Sequence, residues 1–182
     1  MPVIGVALAV PEPWATQLQD YRTAIGDPTA DGVPTHITLV PPIEVDVDVD
    51  ALEQHLAAAA AAVPAFEVHL RGTATFRPVS PVVFVALAEG IGQCEVLADA
   101  VREGPLAVEL EFPYHPHVTV AHHLPDDALD RAFEELADFE CSFEVGDFHL
   151  YVHRGDEGWV PTRRFDLAPA DTPAGPWGEE SR

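Results

Sequence analysis

The chain has 182 residues, 47% of them hydrophobic, enough for one domain or one compact pair of lobes around a real core. Its formal net charge is −22, from 31 acidic residues against nine basic ones, and every basic residue is Arg. Such a chain repels long nucleic acid, whose affinity for proteins comes mainly from neutralised phosphates, and leaves room only for a small anion met by a few convergent donors.

Residues 3–10 form a short apolar run that ends at Pro11, read as a buried strand rather than a signal peptide because no basic segment leads it. Trp14, Leu18, Tyr21 and Ile25 make a helical stripe over residues 13–25, with Pro13 in the first turn and Gly26 after the end. A strand over 35–40 follows and stops at Pro41-Pro42. Residues 44–50 alternate Val with acid, as a short edge strand or an acidic loop. Residues 50–62 are Ala-rich and helical, with Asp48 or Asp50 as caps. Residues 66–70 and 73–76 read as two strands joined at Arg71-Gly72.

The order then repeats. Residues 82–87 are a strand, and 91–101 a helix with Val96, Leu97 and Val101 inward. Residues 108–112 alternate as a short strand, and 117–121 form another. Residues 125–137 are a helix with Leu129, Phe133 and Leu136 on one face. Strands over 143–145 and 148–153, a turn over 155–158 and a final strand over 159–167 complete the domain. Residues 1–167 are thus one bilobal domain, with lobes of roughly 1–80 and 81–167 between which strands can be exchanged. Residues 168–182, rich in Pro and Gly, are expected to be a disordered tail. Cys94 and Cys141 lie far apart without C-x-x-C spacing and read as thiols of a reducing compartment. No apolar run reaches the length of a membrane span. A soluble cytoplasmic monomer is the expectation.

Two stretches organise this pattern: His36-Ile37-Thr38-Leu39 and His117-Val118-Thr119-Val120. Successive side chains of a strand point to opposite faces, so each stretch buries two aliphatic side chains and presents an imidazole and a hydroxyl together. Each lies in the third element of a strand–helix–strand–helix–strand series. A duplicated α+β unit related by a pseudo-twofold axis would bring the two His-x-Thr strands face to face across a cleft.

With these motifs in a chain of this size, and with Pro34-Thr35 before the first and Tyr114-His115-Pro116 before the second, residues 3–167 resemble the 2H phosphoesterase superfamily, most closely its 2′-5′ RNA ligase-like branch. The resemblance implies a bilobal α+β fold, with antiparallel sheets lining a central cleft and helices outside. It implies metal-independent phosphodiesterase chemistry on 2′,3′-cyclic phosphates or 2′-5′ phosphodiesters of RNA ends or nucleotides, with no cofactor. His36 and His117 become acid and base, and Thr38 and Thr119 donors to the phosphate. Where many members carry Arg after the second motif, this chain has Ala121-His122-His123.

The chemistry suits the residues. Opening a cyclic phosphate needs a base for water and an acid for the departing sugar oxygen, and two imidazoles with ordinary pKa near 6.5 supply both. The surrounding negative charge should hold both at or above that value unless desolvation opposes it. Phe76 and Arg77 are candidates to stack a base and pair a phosphate; Tyr114 and His122 are candidate substrate contacts at the rim. Two other readings use the same residues. One is a binding module that holds a nucleotide or RNA end without turnover. The other is a metal site built on His115, His117, His122 and His123.

Overall fold

Strand β1 (Val3–Ala9) alternates large and small side chains. Ile4, Val6 and Leu8 enter the core, and Gly5, Ala7 and Ala9 face the other way. In the computed structural model, which describes residues 1–170, β1 is followed by α1 (Trp14–Ile25), β2 (His36–Glu44), α2 (Val49–Ala61), β3 (Phe66–Thr75) and β4 (Val82–Glu89). Then come α3 (Ile91–Val101), β5 (His117–His122), α4 (Asp126–Glu135), β6 (Glu140–Val145), β7 (Asp147–His153) and β8 (Trp159–Asp166).

The fold is α+β. Its strands form two antiparallel four-stranded sheets, ordered β2-β1-β7-β8 and β5-β4-β3-β6. Each His-x-Thr strand is an edge strand, paired to the strand that opens its own half. The sheets do not divide the chain at residue 80: β3 crosses to pair with β4 and β6, while β7 and β8 return to β1. Both sheets and all four helices feed one hydrophobic cluster, in which Leu18, Leu56, Leu97, Leu129 and Phe148 are fully buried.

Several local expectations are corrected. Strand β2 runs through Pro41-Pro42 instead of stopping there. As an edge strand it needs ladder bonds on one side only, and its register with β1 breaks between Val40 and Ile43, where the two prolines fall. Of the two readings of the acidic stretch the loop is the one found, over residues 45–48. Asp48 is the N-cap of α2 but its side chain makes no capping bond; Asp50 lies in the first turn, where a carboxylate suits the helix dipole. Residues 66–75 are one strand, because Gly72 (φ +72°) carries a bulge between Leu70 and Thr73.

Residues 108–112 have the alternation of a strand but pair with nothing regular and run as irregular chain toward β5. Val96 is 59% exposed, since the buried stripe of α3 is Cys94, Leu97, Ala98 and Val101. Phe133 is 37% exposed and lies at the margin of the face made by Leu129 and Ala132. Ala168, the first residue of the expected tail, is held by bonds to Val63 and Ala65; residues 171–182 lie outside the described residues. Among the described residues no helix is long and apolar enough to cross a membrane.

Candidate active site

The two His-x-Thr strands fold alike. In β2, His36 and Thr38 are half-buried, while Ile37, Leu39 and Val40 are buried; in β5, His117 and Thr119 are half-buried, while Val118, Val120 and Ala121 are buried. Two consecutive buried residues break simple alternation, and each break coincides with a register shift. Thr38 pairs with Ala7 but Val40 pairs with Val6; Thr119 pairs with Phe84 but Ala121 pairs with Val83. Each strand therefore bulges just beyond its Thr, which bends it around the site. The strands are tied together by Tyr114, whose hydroxyl donates a 2.7 Å bond to the Thr38 carbonyl.

The imidazoles are held identically. His36 Nδ1 lies 2.6 Å from the Pro34 carbonyl, and His117 Nδ1 lies 2.7 Å from the His115 carbonyl. A carbonyl can only accept, so Nδ1 carries the proton in both rings and Nε2 is the nitrogen left for chemistry. Both groups are pushed below the ordinary histidine range: desolvation opposes the surrounding negative charge, the exception attached to the expectation of values at or above it. Burial is the main cause for each; the charge of Arg22 adds to it at His36, and those of His115 and His36 add to it at His117. His117 thus feels the charge of His36 across the gap. The acidic surface is screened by solvent and does not offset the desolvation.

Between the strands lies a cleft of about 740 Å³ whose walls include Thr38, Phe76, Tyr114, His117, Thr119 and His122. The irregular stretch before β5 closes one side of it through Glu109, Glu111 and Phe112. Thr38 also borders a second, smaller recess of about 140 Å³, which it shares with His36. Among the described residues Thr38 is thus the one that borders both spaces, with His117 and Thr119 on the cleft and His36 on the recess.

The remaining expected contacts divide. Phe76 is on the cleft wall, its ring edge-on to His117 at 4.9 Å and packed on Phe84 at 4.4 Å. Arg77 is not on that wall: its guanidinium is bound to Asp130 at 2.9 Å, with Asp126 at 3.7 Å, both on α4. Tyr114 uses its hydroxyl on β2 and its ring under Arg102 at 5.2 Å, and burial pushes its pKa far up. His122 reaches the cleft, and its ring lies tilted against that of His123, with centres 3.7 Å apart. Its pKa is lowered by burial, then by His123, with Asp27 opposing. Among the described residues no three His, Cys, Asp or Glu side chains gather as a metal site; His115 and His117 stand 6.3 Å apart between ring centres.

Two features escaped sequence reasoning. One is the buried pair of Arg22 with Asp27, 3.2 Å, at the end of α1, whose Arg22 charge acts on both His36 and His122. Burial would raise the Asp27 carboxyl, but bonds from the Thr29 hydroxyl and amide and the charge of Arg22 hold it down. The other is the wall of the small recess, made by Tyr151 and Trp159 from the far end of the chain over the small residues of β1. The alternation Ile4-Gly5-Val6-Ala7-Leu8-Ala9 was its only sequence signal.

Comparison with known proteins places this geometry. The sequence profile described as the 2′-5′ RNA ligase superfamily matches residues 10–157. A Bacillus cytotoxicus protein with the provisional name of phosphoesterase is 29% identical over 146 residues, covering 78% of this chain and 83% of its own. A Staphylococcus aureus protein of the same provisional name is 25% identical over 136 residues, covering 74% and 79%. Among solved structures, E. coli LigT complexed with 3′-AMP superposes with a TM-score of 0.62 at 21% identity, over 92% of this chain and 99% of that one. A Thermus thermophilus protein superposes with a TM-score of 0.64 at 21% identity, over 93% and 99%.

Proposed function

The chain belongs to the 2′-5′ RNA ligase superfamily, and from that premise we propose that it is a phosphodiesterase acting on 2′,3′-cyclic phosphates or 2′-5′ phosphodiesters of RNA ends or small nucleotides. The observation that carries the reading is the matched pair of imidazoles. Each presents Nε2 from an edge strand, each has its Nδ1 proton fixed on a carbonyl two residues back, and the two are electrostatically coupled.

In hydrolysis of a cyclic phosphate, the neutral imidazole takes a proton from water through Nε2 as the water oxygen bonds to phosphorus. The bond from phosphorus to one ribose oxygen breaks, and the protonated imidazole gives that oxygen its proton. The product is a phosphate monoester, and the two rings have exchanged protonation states. Thr38 and Thr119, one beside each ring, donate to the non-bridging oxygens as charge grows on them. No step calls for a metal ion. The nucleotides held by the E. coli neighbour (3′-AMP, ATP and NADP+) support a small nucleotide in a cleft of this size.

A panel of 2′,3′-cyclic nucleotides, 2′-5′ dinucleotides and ADP-ribose cyclic phosphates tests the proposal. His36→Ala and His117→Ala should each lower turnover at least about a hundredfold, and the double variant far less than the product of the two, since the rings act as a unit. Thr38→Ala and Thr119→Ala should cost less than either His change. Tight binding without turnover would make the protein a binding module. Loss of activity to a chelator, with recovery on one added metal, would replace the two-imidazole mechanism.

A further inference from the structure

We propose that the small recess beside His36 is a nucleobase site, which fixes the orientation of the substrate in the cleft; this rests on the phosphodiesterase reading above. The recess exists because of β1. Cross-strand partners share a face, so Gly5 and Ala7 lie on the same side as Thr38 of β2 and Tyr151 of β7. Having almost no side chain, they leave a floor of bare backbone between taller neighbours. Tyr151, Trp159 and Val40 rise around it, and His36 and Thr38 form the edge nearest the cleft.

The volume, about 140 Å³, is close to that of a cavity of roughly 150 Å³ that accepts a benzene ring. Its walls are mainly apolar and aromatic, as a planar ring requires. The Trp159 ring is fixed from behind: its amide donates 2.9 Å to the Gly32 carbonyl, and the ring meets His153 edge-on at 5.2 Å.

The corresponding place in the second sheet is built differently. Where Thr38 faces Ala7, Thr119 faces Phe84, and the Phe84 ring together with Phe76 fills the space beside His117. The pseudo-symmetry of the two imidazoles is therefore broken by what lies under them. A phosphate between the strands and a ring in the recess are separated by Thr38, which borders both spaces; a ribose spans that interval. The base lies on the His36 side, and the group on the other side of phosphorus points toward Phe76.

The test compares adenosine 2′,3′-cyclic phosphate with methyl riboside 2′,3′-cyclic phosphate, which has the same reacting group and a methoxy group in place of the base. The wild-type chain should favour the nucleotide in kcat/KM at least about tenfold, the effect of one stacked base. Trp159→Ala and Ala7→Val should each cut that preference to about twofold or less, mainly through KM. Gly5→Ala keeps the fold within ordinary contacts, since its Cβ would lie 3.5 Å from the Trp159 ring, and it should also lower the preference. Equal kcat/KM for the two substrates in the wild type would overturn the base site and leave the phosphodiesterase reading intact. If neither substrate nor a 2′-5′ dinucleotide is turned over, that reading fails, and equilibrium dialysis with adenosine 2′-monophosphate against methyl riboside 2′-phosphate decides the recess. Tighter binding of the nucleotide, lost in Trp159→Ala, supports it; equal binding overturns it.

Discussion

At His36 and His117 one hydrogen bond decides which nitrogen is left free, and burial lowers the pH at which it takes a proton. The proposed mechanism needs one ring neutral and the other protonated, so kcat/KM should follow a bell whose limbs belong to the coupled pair. Both rings are held below the ordinary value of about 6.5. The bell should therefore be centred on the acid side of that value. Above it the acid has lost its proton, and below it the base has gained one. A pH–rate profile on a 2′,3′-cyclic nucleotide measures this directly, and an optimum above about 6.5 would contradict it. Net charge alone pointed the other way. The shift comes from how deeply two particular side chains are set, which a count of acids and bases does not contain.

Among the elements, the two His-x-Thr strands were legible because a period of two needs no knowledge of neighbours. The placement of His36 with Thr38, and of His117 with Thr119, followed from it. Residues whose state depends on a distant partner were not legible. Pro41-Pro42 look like a stop until β2 is seen to be an edge strand, and residues 108–112 look like a strand although no neighbour offers them a ladder. Arg77 looks free until Asp130, 53 residues on, takes its guanidinium. The β7–β8 hairpin was legible as two strands and a turn over residues 155–158, but where its tip docks was not. Gly158 has φ +71°, and a Cβ there would lie 2.4 Å from the Gly32 carbonyl oxygen, so only Gly lets the hairpin tip dock on that loop and carry Trp159 into position. Gly158→Ala should cost about 1–3 kcal/mol in urea unfolding and raise KM for a nucleotide. Unchanged stability and KM would show that the tip docks without needing this contact.

Over the whole molecule, a net charge of −22 surrounds a cleft that the proposed function fills with an anion. Long-range repulsion works against substrate approach and against compactness alike. Raising ionic strength from about 10 mM to about 150 mM shortens the screening length from roughly 30 Å to roughly 8 Å. Stability and kcat/KM toward a cyclic nucleotide should both rise over that interval, the reverse of an enzyme that steers its substrate. Denaturant midpoints and initial rates across a salt series would check it, and a monotonic fall in either would refute it. The exchange of strands between the two sheets has a consequence of another kind, for synthesis on the ribosome. After the first half has emerged, β1 has β2 on one side, but its other edge stays unpaired until β7 is made near the end of the chain. Strand β3, finished early, has no neighbour until β4 appears. The nascent first half therefore carries open sheet edges through most of translation, and the sheet bearing His36 closes only when the last strands leave the exit tunnel.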